Sequence, residues 1–426
     1  MDARSHVLQV AVVGAGIAGL SSAISLSRGG HNVEIYERSS LANEVGAAIH
    51  VCPNASRILK RWGFDFELAK AVLVKEGRVV NATTLAASYS MSYDRLKDQY
   101  GSPWYFLHRV DLHNELKRLA LAPGDAYPAA KLFLGTEVDT VDCSTGTITL
   151  RDGRRTQKDL IIAADGIHST IASTVNGSSI PATETGQSAF RFLIPTQKLI
   201  EAGLADTLFI NSDYGMSIAA DATRRLVWYP CRRGELQNFV GIHPSRPDDC
   251  GSDAWNIGAN VDSILHEYQS FHPDLVKACS LAKDPKLWKL LYRSPIPTWY
   301  RGKVALAGDA AHPMLPHQGQ GGAQAIEDAA AFGALFASTS SVNDVTERLG
   351  MYQEVRRRRA AAIQIFSNAG QDQAEKIQEE ARQYVDGHVP TNQAEFHKFN
   401  FGHDVVAACE EMLAQLGTGR LSKDKP

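Results

Sequence analysis

No Cys-x-x-Cys pair occurs anywhere in this 426-residue chain. Its six cysteines (Cys52, Cys143, Cys231, Cys250, Cys279 and Cys409) are scattered. Neither a metal site nor a dense disulfide framework is therefore expected, and a reducing compartment is the default. Apolar runs approaching the roughly 20 residues that span a bilayer are also missing, so no membrane partner is expected. Charge is nearly balanced: 44 Lys and Arg against 47 Asp and Glu give a formal net charge of −3. That leaves no basic field to hold nucleic acid. Repeats and low-complexity linkers are absent. A buried-type strand begins within about ten residues of the start, which leaves no room for a signal peptide and gives a cytoplasmic expectation.

What is present is ordinary globular composition, 44% hydrophobic and 21% charged, in a chain long enough for two or three domains. Val7 to Val13 reads as a strand, Ile17 to Arg28 as a helix and Asn32 to Tyr36 as a second strand. Helices are expected near Asn54 to Trp62 and Asp111 to Leu121. Lys131 to Glu137 and Gly146 to Leu150 read as a hairpin, and Leu160 to Ala164 as a buried strand. From Gly186 to His243 the texture becomes antiparallel, with short segments at Ala189 to Ile194, Leu208 to Ile210, Leu226 to Tyr229 and Phe239 to Ile242. Lys303 to Ala307 returns as a buried strand, and a long helix is expected from Gln320 to Ser338. The four arginines Arg356 to Arg359 read as a solvated helix face.

The chemistry begins at Gly14-Ala15-Gly16-Ile17-Ala18-Gly19, a G-x-G-x-x-G placed after a strand and opening a helix. Gly14 permits the turn, Gly16 lets the backbone approach a pyrophosphate, and Gly19 lets helix and strand pack closely. The helix start offers free N–H groups and a positive dipole end. Glu37, eighteen residues after Gly19, is placed to bind ribose hydroxyls and to repel a 2′-phosphate. Arg38 beside it joins the expected cofactor-binding set.

A nicotinamide dehydrogenase would continue with a second mononucleotide half. This chain instead interrupts itself with antiparallel sequence and returns to buried strands. Two strands flanking the interruption end in Asp165-Gly166 and Gly308-Asp309, where open α/β sheets bind ligands. Asp309 suits a ribityl chain. The Gly-rich stretch through Gly319, Gly321 and Gly322 feeds a helix whose start can stabilise a reduced flavin.

Those three motifs in this order resemble the group A FAD-dependent monooxygenases. Gly308 to Pro313, Ala325 to Asp328 and Phe401 to Val406 look like the salicylate-hydroxylase-like branch with its fungal relatives. The resemblance implies an α/β fold. A Rossmann-like FAD-binding domain would be built from discontinuous segments (1–178 and 292–370), with an antiparallel-sheet substrate domain (179–291) and C-terminal helices (371–426). Glu44 to Ile49 matches the loop along the isoalloxazine, with Ala48 at a position often held by glycine. Arg109 and Asp165 match further FAD contacts, the latter also used for transient NAD(P)H.

The activity implied is aromatic hydroxylation, possibly decarboxylative, using tightly bound FAD, NADH or NADPH, and O2 through a flavin C4a-hydroperoxide. The partner is a small-molecule aromatic substrate, and the chain a monomer or homodimer. Arg191 matches an arginine beside the flavin that can pair with a phenolate, a carboxylate or the hydroperoxide, and Tyr229 a tyrosine that can hydrogen-bond the substrate oxygen. Either residue could instead be structural. His50 and His317 resemble pocket-facing positions, and each could act as a general base with a pKa near working pH. His312 is expected to make a turn contact. Arg224, Arg232 and Arg233 could clamp a carboxylate or simply be solvated arginines at a sheet edge. Epoxidation or rearrangement of a polycyclic natural product, and a flavin-binding protein without turnover, are the alternatives.

Overall fold

The computed structural model describes residues 6–40, 47–125, 127–209, 215–246, 256–337, 341–369 and 371–417. The chain opens on β1 (Gln9–Val13), buried throughout after Gln9, as expected of an apolar strand covered on both faces. Gly14 then turns at φ +98° into α1 (Ile17–Arg28), and β2 (Asn32–Tyr36) returns parallel to β1. Next come β3 (Ala48–Val51), α2 (Pro53–Arg61), β4 (Val72–Leu73), β5 (Glu76–Asn81), β6 (Ala87–Ser92) and α3 (Leu96–Tyr100). They are followed by β7 (Tyr105–His108), α4 (Arg109–Leu121), β8 (Lys131–Phe133), β9 (Val138–Asp142), β10 (Thr147–Leu150) and β11 (Arg155–Gln157). β12 (Leu160–Ala163) and α5 (Thr170–Asn176) complete the first part.

The middle of the chain holds β13 (Thr183–Pro195), α6 (Thr196–Glu201), β14 (Gly215–Ala220), β15 (Arg225–Cys231) and β16 (Leu236–Pro244). β17 (Asn256–Gly258), α7 (Val261–Tyr268), α8 (Pro273–Ser280) and β18 (Lys283–Tyr292) close it. The last part is β19 (Tyr300–Arg301), β20 (Val304–Leu306), α9 (Gly321–Phe336), α10 (Asp344–Phe366), α11 (Gln378–Arg382), α12 (Gln393–Gly402) and α13 (Val405–Gly417).

Two large sheets organise the molecule. The first runs β19-β20-β12-β1-β2-β8. Its strands from β20 to β8 are mutually parallel, so their carboxyl ends share one edge. Helix α1 carries Gly19 and small residues such as Ser21, Ser22 and Ala23, all buried, and packs against α9. The second sheet runs β17-β18-β13-β16-β15-β14-β5-β6. It is antiparallel except where β14 meets β5. One of its faces carries a separate core including Phe190, Leu226, Trp228 and Phe239, covered by residues of α7 and α8.

Three sequence expectations fail here. Residues 131–150 do not form the expected hairpin: β8 pairs with β2, Phe133 stacking on Tyr36 at 5.4 Å, while β10 pairs with β9 and β11. The strand expected at Leu208 to Ile210 is a turn at Leu208 and Phe209, with Phe209 at φ +58°; Ile210 lies outside the described residues. The arginine run does not lie on a solvated face. Arg356 is fully buried and Arg359 nearly so, whereas Arg358 is exposed and pairs with Asp386. The antiparallel sheet is also wider than expected, because β5, β6 and β14 join it.

Candidate active site

Parallel pairing brings the motifs to one edge. Gly14 follows β1, Glu37 follows β2, Asp165 follows β12 and Gly308-Asp309 follows β20, and these four strands are neighbours. Space around the glycines is graded. A Cβ on Gly19 would lie 1.9 Å from the Gly14 carbonyl oxygen, and one on Gly14 2.5 Å from that of Ala164. A Cβ on Gly16 would meet nothing within 4 Å. Gly16 also starts α1 with no side-chain cap, which leaves backbone N–H groups facing that opening. Glu37 Oε2 accepts the Ala15 N–H at 2.7 Å and its Oε1 that of Ser39 at 2.8 Å, while His113 Nε2 meets the Ala15 carbonyl at 2.7 Å. The loop is thus shaped for the close approach of a phosphate-bearing dinucleotide.

Asp165 and Asp309 both have carboxyls raised above the usual range by burial. Ser169 and the charge of Arg38 oppose the rise at Asp165. At Asp309 the opposing charges are His312, Arg109 and Arg293. The Asp309 side chain is still open to water through the adjoining cavity, although protein surrounds it. Arg293, 4% exposed, ties the two turns together by donating to the carbonyls of Ile167 at 2.6 Å and Ala310 at 3.1 Å.

That cavity, about 1070 Å3, lies between the second sheet and the loops that follow β12 and β20. Ala48 and His50 reach it from β3, Arg109 from the start of α4, and Arg191 and Tyr229 from the second sheet. Asp309 and His317 reach it from the loops before α9, and Gly321 and Gly322 from the first turn of α9. Gly14, Gly16, Gly19, Glu37, Arg38 and Asp165 do not line it; they belong to the strand ends beside it. Helix α9 starts at this cavity with no side-chain cap, so its first N–H groups and positive dipole end are available there. A dinucleotide is a group that the open Gly16 loop and the two uncapped helix starts would fit. Of the loop expected along the flavin, residues 44–46 lie outside the described residues.

Arg191 carries its guanidinium carbon 4.6 Å above the Trp288 ring, and its Nε is buried without a hydrogen-bond partner among the described residues. Burial lowers its pKa, the Tyr229 oxygen opposes that fall, and Arg109 adds to it. Tyr229 Oη donates to the Ala48 carbonyl at 3.3 Å. Burial raises its pKa and Arg191 pulls it back. His50 is partly accessible from the cavity yet packed against Tyr229, Phe106 and Trp104, at ring separations of 4.7, 4.9 and 5.4 Å. That burial pushes its pKa down to about 4, well below the near-neutral value expected of a general base. Its ring stays neutral at working pH. Arg224, Arg232 and Arg233 are paired with Asp221, Asp111 and Glu67, and none lines the cavity.

Sequence reading missed the buried charges behind the cavity-lining loops. Asp328 Oδ1 accepts from Arg356 Nε at 2.9 Å, and His312 Nε2 meets Asp328 Oδ2 at 2.6 Å. Glu327 accepts from Arg356 at 2.5 Å, from Arg359 twice at 2.8 Å and from Asn54 at 2.6 Å. Asn54 also donates to Gln320 at 3.1 Å. Burial alone would raise both carboxyls, but the arginines hold Glu327 far below the usual range, and His312 with Arg356 hold Asp328 down. The available signal was Glu327-Asp328 inside an otherwise apolar helix, with Arg356 and Arg359 at i, i+3 on one helix face.

Comparison with known proteins agrees with this geometry. Residues 7–367 match the model of the FAD binding domain family. An FAD-dependent monooxygenase of Aspergillus candidus is 36% identical over 415 residues, covering 95% of each chain. The hispidin-3-hydroxylase of Neonothopanus nambi is 33% identical over 376 residues, 85% of this chain and 88% of that one. The solved substrate complex of a salicylate hydroxylase superposes with a TM-score of 0.75 at 26% identity, covering 95% of this chain and 97% of that one. With its glycine loop, strand-end acids and uncapped α9 converging on one cleft, this chain belongs to the FAD binding domain family and is an FAD-dependent monooxygenase.

Proposed function

We propose that the chain uses NAD(P)H and O2 to hydroxylate an electron-rich phenolic ring held between α9 and the second sheet. One observation carries this reading: a single cavity joins the start of α9 to the Arg191 guanidinium and the Tyr229 hydroxyl. Gly14, Gly16, Gly19, Glu37 and Arg38 hold the adenosine and pyrophosphate side. Asp165, Asp309, Arg109, Ala48, Gly321 and Gly322 serve the rest of the cofactor. Bound FAD, once reduced by NAD(P)H, supplies the two electrons that activate O2. One oxygen atom enters the ring and the other leaves as water.

Arg191 pairs with the ionised substrate oxygen, which enriches the ring toward an electrophilic oxygen. Tyr229, protonated because it is buried, can turn its one O–H from the Ala48 carbonyl to that oxygen. His50, neutral, can hydrogen-bond the substrate without adding charge. The apolar walls exclude water from the reacting atoms.

A panel of phenols tests the proposal through stimulated NAD(P)H oxidation and product mass. The expected product is heavier by one oxygen, or by one oxygen less CO2 if decarboxylation accompanies it. A yellow protein whose NAD(P)H oxidation no phenol stimulates would overturn the reading.

A further inference from the structure

Within the cavity, the second sheet presents side chains in register. Ile218 of β14 stands opposite Val79 of β5 on one side and Val227 of β15 on the other. Val227 in turn stands opposite Val240 of β16, and Val240 opposite Arg191 of β13. At the far edge Val79 stands opposite Tyr89 of β6. The row Tyr89, Val79, Ile218, Val227, Val240, Arg191 therefore crosses six adjacent strands, and every member lines the cavity. Intervening residues such as Leu226, Trp228 and Phe239 point to the opposite face, into the core beneath α7 and α8. At about 4.8 Å per strand the row is roughly 24 Å long. It has a guanidinium at one end, a phenol hydroxyl at the other and four aliphatic side chains between.

We infer that this row measures the substrate, and that its class is an extended planar phenol or enol of two or more conjugated rings. The inference rests on the proposed hydroxylation only in placing the reacting ring at Arg191. A single phenol ring anchored there covers Val240 and reaches Val227 at most, leaving Ile218 and Val79 facing water. Each aliphatic side chain covered by ligand removes apolar surface from water, so affinity should grow with ligand length. The three arginines that could have clamped a carboxylate are all engaged outside the cavity. Arg225, Lys289 and Lys376 line the cavity beside the row, but within the row itself charge is matched at the Arg191 end alone, and its aliphatic members present uncharged surface. Ile218 is the residue that sets length discrimination, because it sits midway along the row, beyond the reach of one ring.

The test uses FAD-loaded protein and three probes: resorcinol, 2,4-dihydroxybenzoate and 4-hydroxystilbene. Dissociation constants are read from perturbation of the visible flavin spectrum, without NAD(P)H. The expected result is 4-hydroxystilbene at least tenfold tighter than either single-ring probe. Ile218→Trp should remove that advantage, which separates the row from general stickiness of a longer ligand. If Ile218→Trp does not yield folded, yellow protein, Ile218→Phe at the same point of the row takes its place with the same expectation. Equal affinity for one-ring and two-ring probes, tightest binding of the carboxylate, or a length advantage that survives the substitution overturns the inference. Length preference without hydroxylation would sink the proposed function and leave the row standing; hydroxylation of resorcinol without length preference would do the reverse.

Discussion

Asp328 Oδ2 accepts the backbone N–H of Gly308 at 2.9 Å. A fully buried carboxylate on α9 is thereby bonded to the residue immediately before Asp309, the acid that faces the cavity. Its other oxygen is held by Arg356 Nε at 2.9 Å. Through Glu327 and Asn54 the same cluster reaches Gln320 at the start of α9. Two turns that border the cavity, at Gly308-Asp309 and at Gln320, share one charged scaffold.

Removing half of a buried ion pair leaves the partner uncompensated. Asp328→Ala strips one partner from Arg356 and the acceptor from Gly308, so a loss of about 3–5 kcal/mol is expected. Urea unfolding of the wild type and the variant measures it. Asp328→Asn keeps an acceptor for Gly308 and should lose less. A variant with unchanged stability would show that the cluster is not what holds these turns.

The glycine loop separates folding from cofactor binding. A Cβ at Gly19 collides with the Gly14 carbonyl at 1.9 Å, so Gly19→Ala should displace α1 from β1 and lower the melting temperature. A Cβ at Gly16 enters open space, so Gly16→Val should purify colourless and melt like FAD-stripped wild type, its side chain filling the opening proposed for the pyrophosphate. Flavin content per chain and thermal melts check both arms. Yellow Gly16→Val protein would remove the pyrophosphate from that opening.

What could be read without coordinates follows from how local each signal is. Gly14 to Gly19 lie between consecutive elements, and parallel strands put the acids that end β12 and β20 at the same edge as the glycines. The arginine run misled because composition describes Arg356 to Arg359 as polar. The carboxylates that make burial tolerable lie on α9, 28 to 32 residues away. β5 and β6 were invisible for a related reason: their place in the second sheet depends on pairing with β14, more than 130 residues later. His50 could be located in sequence, but its low pKa is the work of Phe106, Trp104 and Tyr229, side chains from elsewhere in the chain.

Arg191→Ala should retain flavin, because its guanidinium stacks on Trp288 rather than on the glycine loop. Coupled hydroxylation should fall by about 100-fold or more if the charge stabilises the ionised substrate in the transition state. NAD(P)H oxidised per product formed measures the uncoupling. Arg191→Lys should recover little, since a point charge does not reproduce the planar fork. Wild-type coupling in the alanine variant would remove Arg191 from the chemistry.

Acid sensitivity should come partly from His397. Its ring stacks on Phe401 at 4.7 Å and meets Trp104 edge-on at 5.9 Å, and burial lowers its pKa from 6.5 to about 4. Between those values the unfolded chain binds a proton that the folded one refuses. Stability from this group is therefore complete above pH 6.5 and is lost as pH falls toward 4. His50 and His403 shift the same way, each to about 4, so they add to the slope in the same window. Replacing His397 by Phe keeps an aromatic ring against Phe401 and removes the titration. Its Nε2 has no hydrogen-bond partner among the described residues, so the substitution breaks no bond there. Between pH 7 and pH 5 the wild type should lose about 2 kcal/mol more than His397→Phe. Urea unfolding at the two pH values measures that difference, and equal losses would show that His397 takes up its proton alike in the folded and unfolded chain.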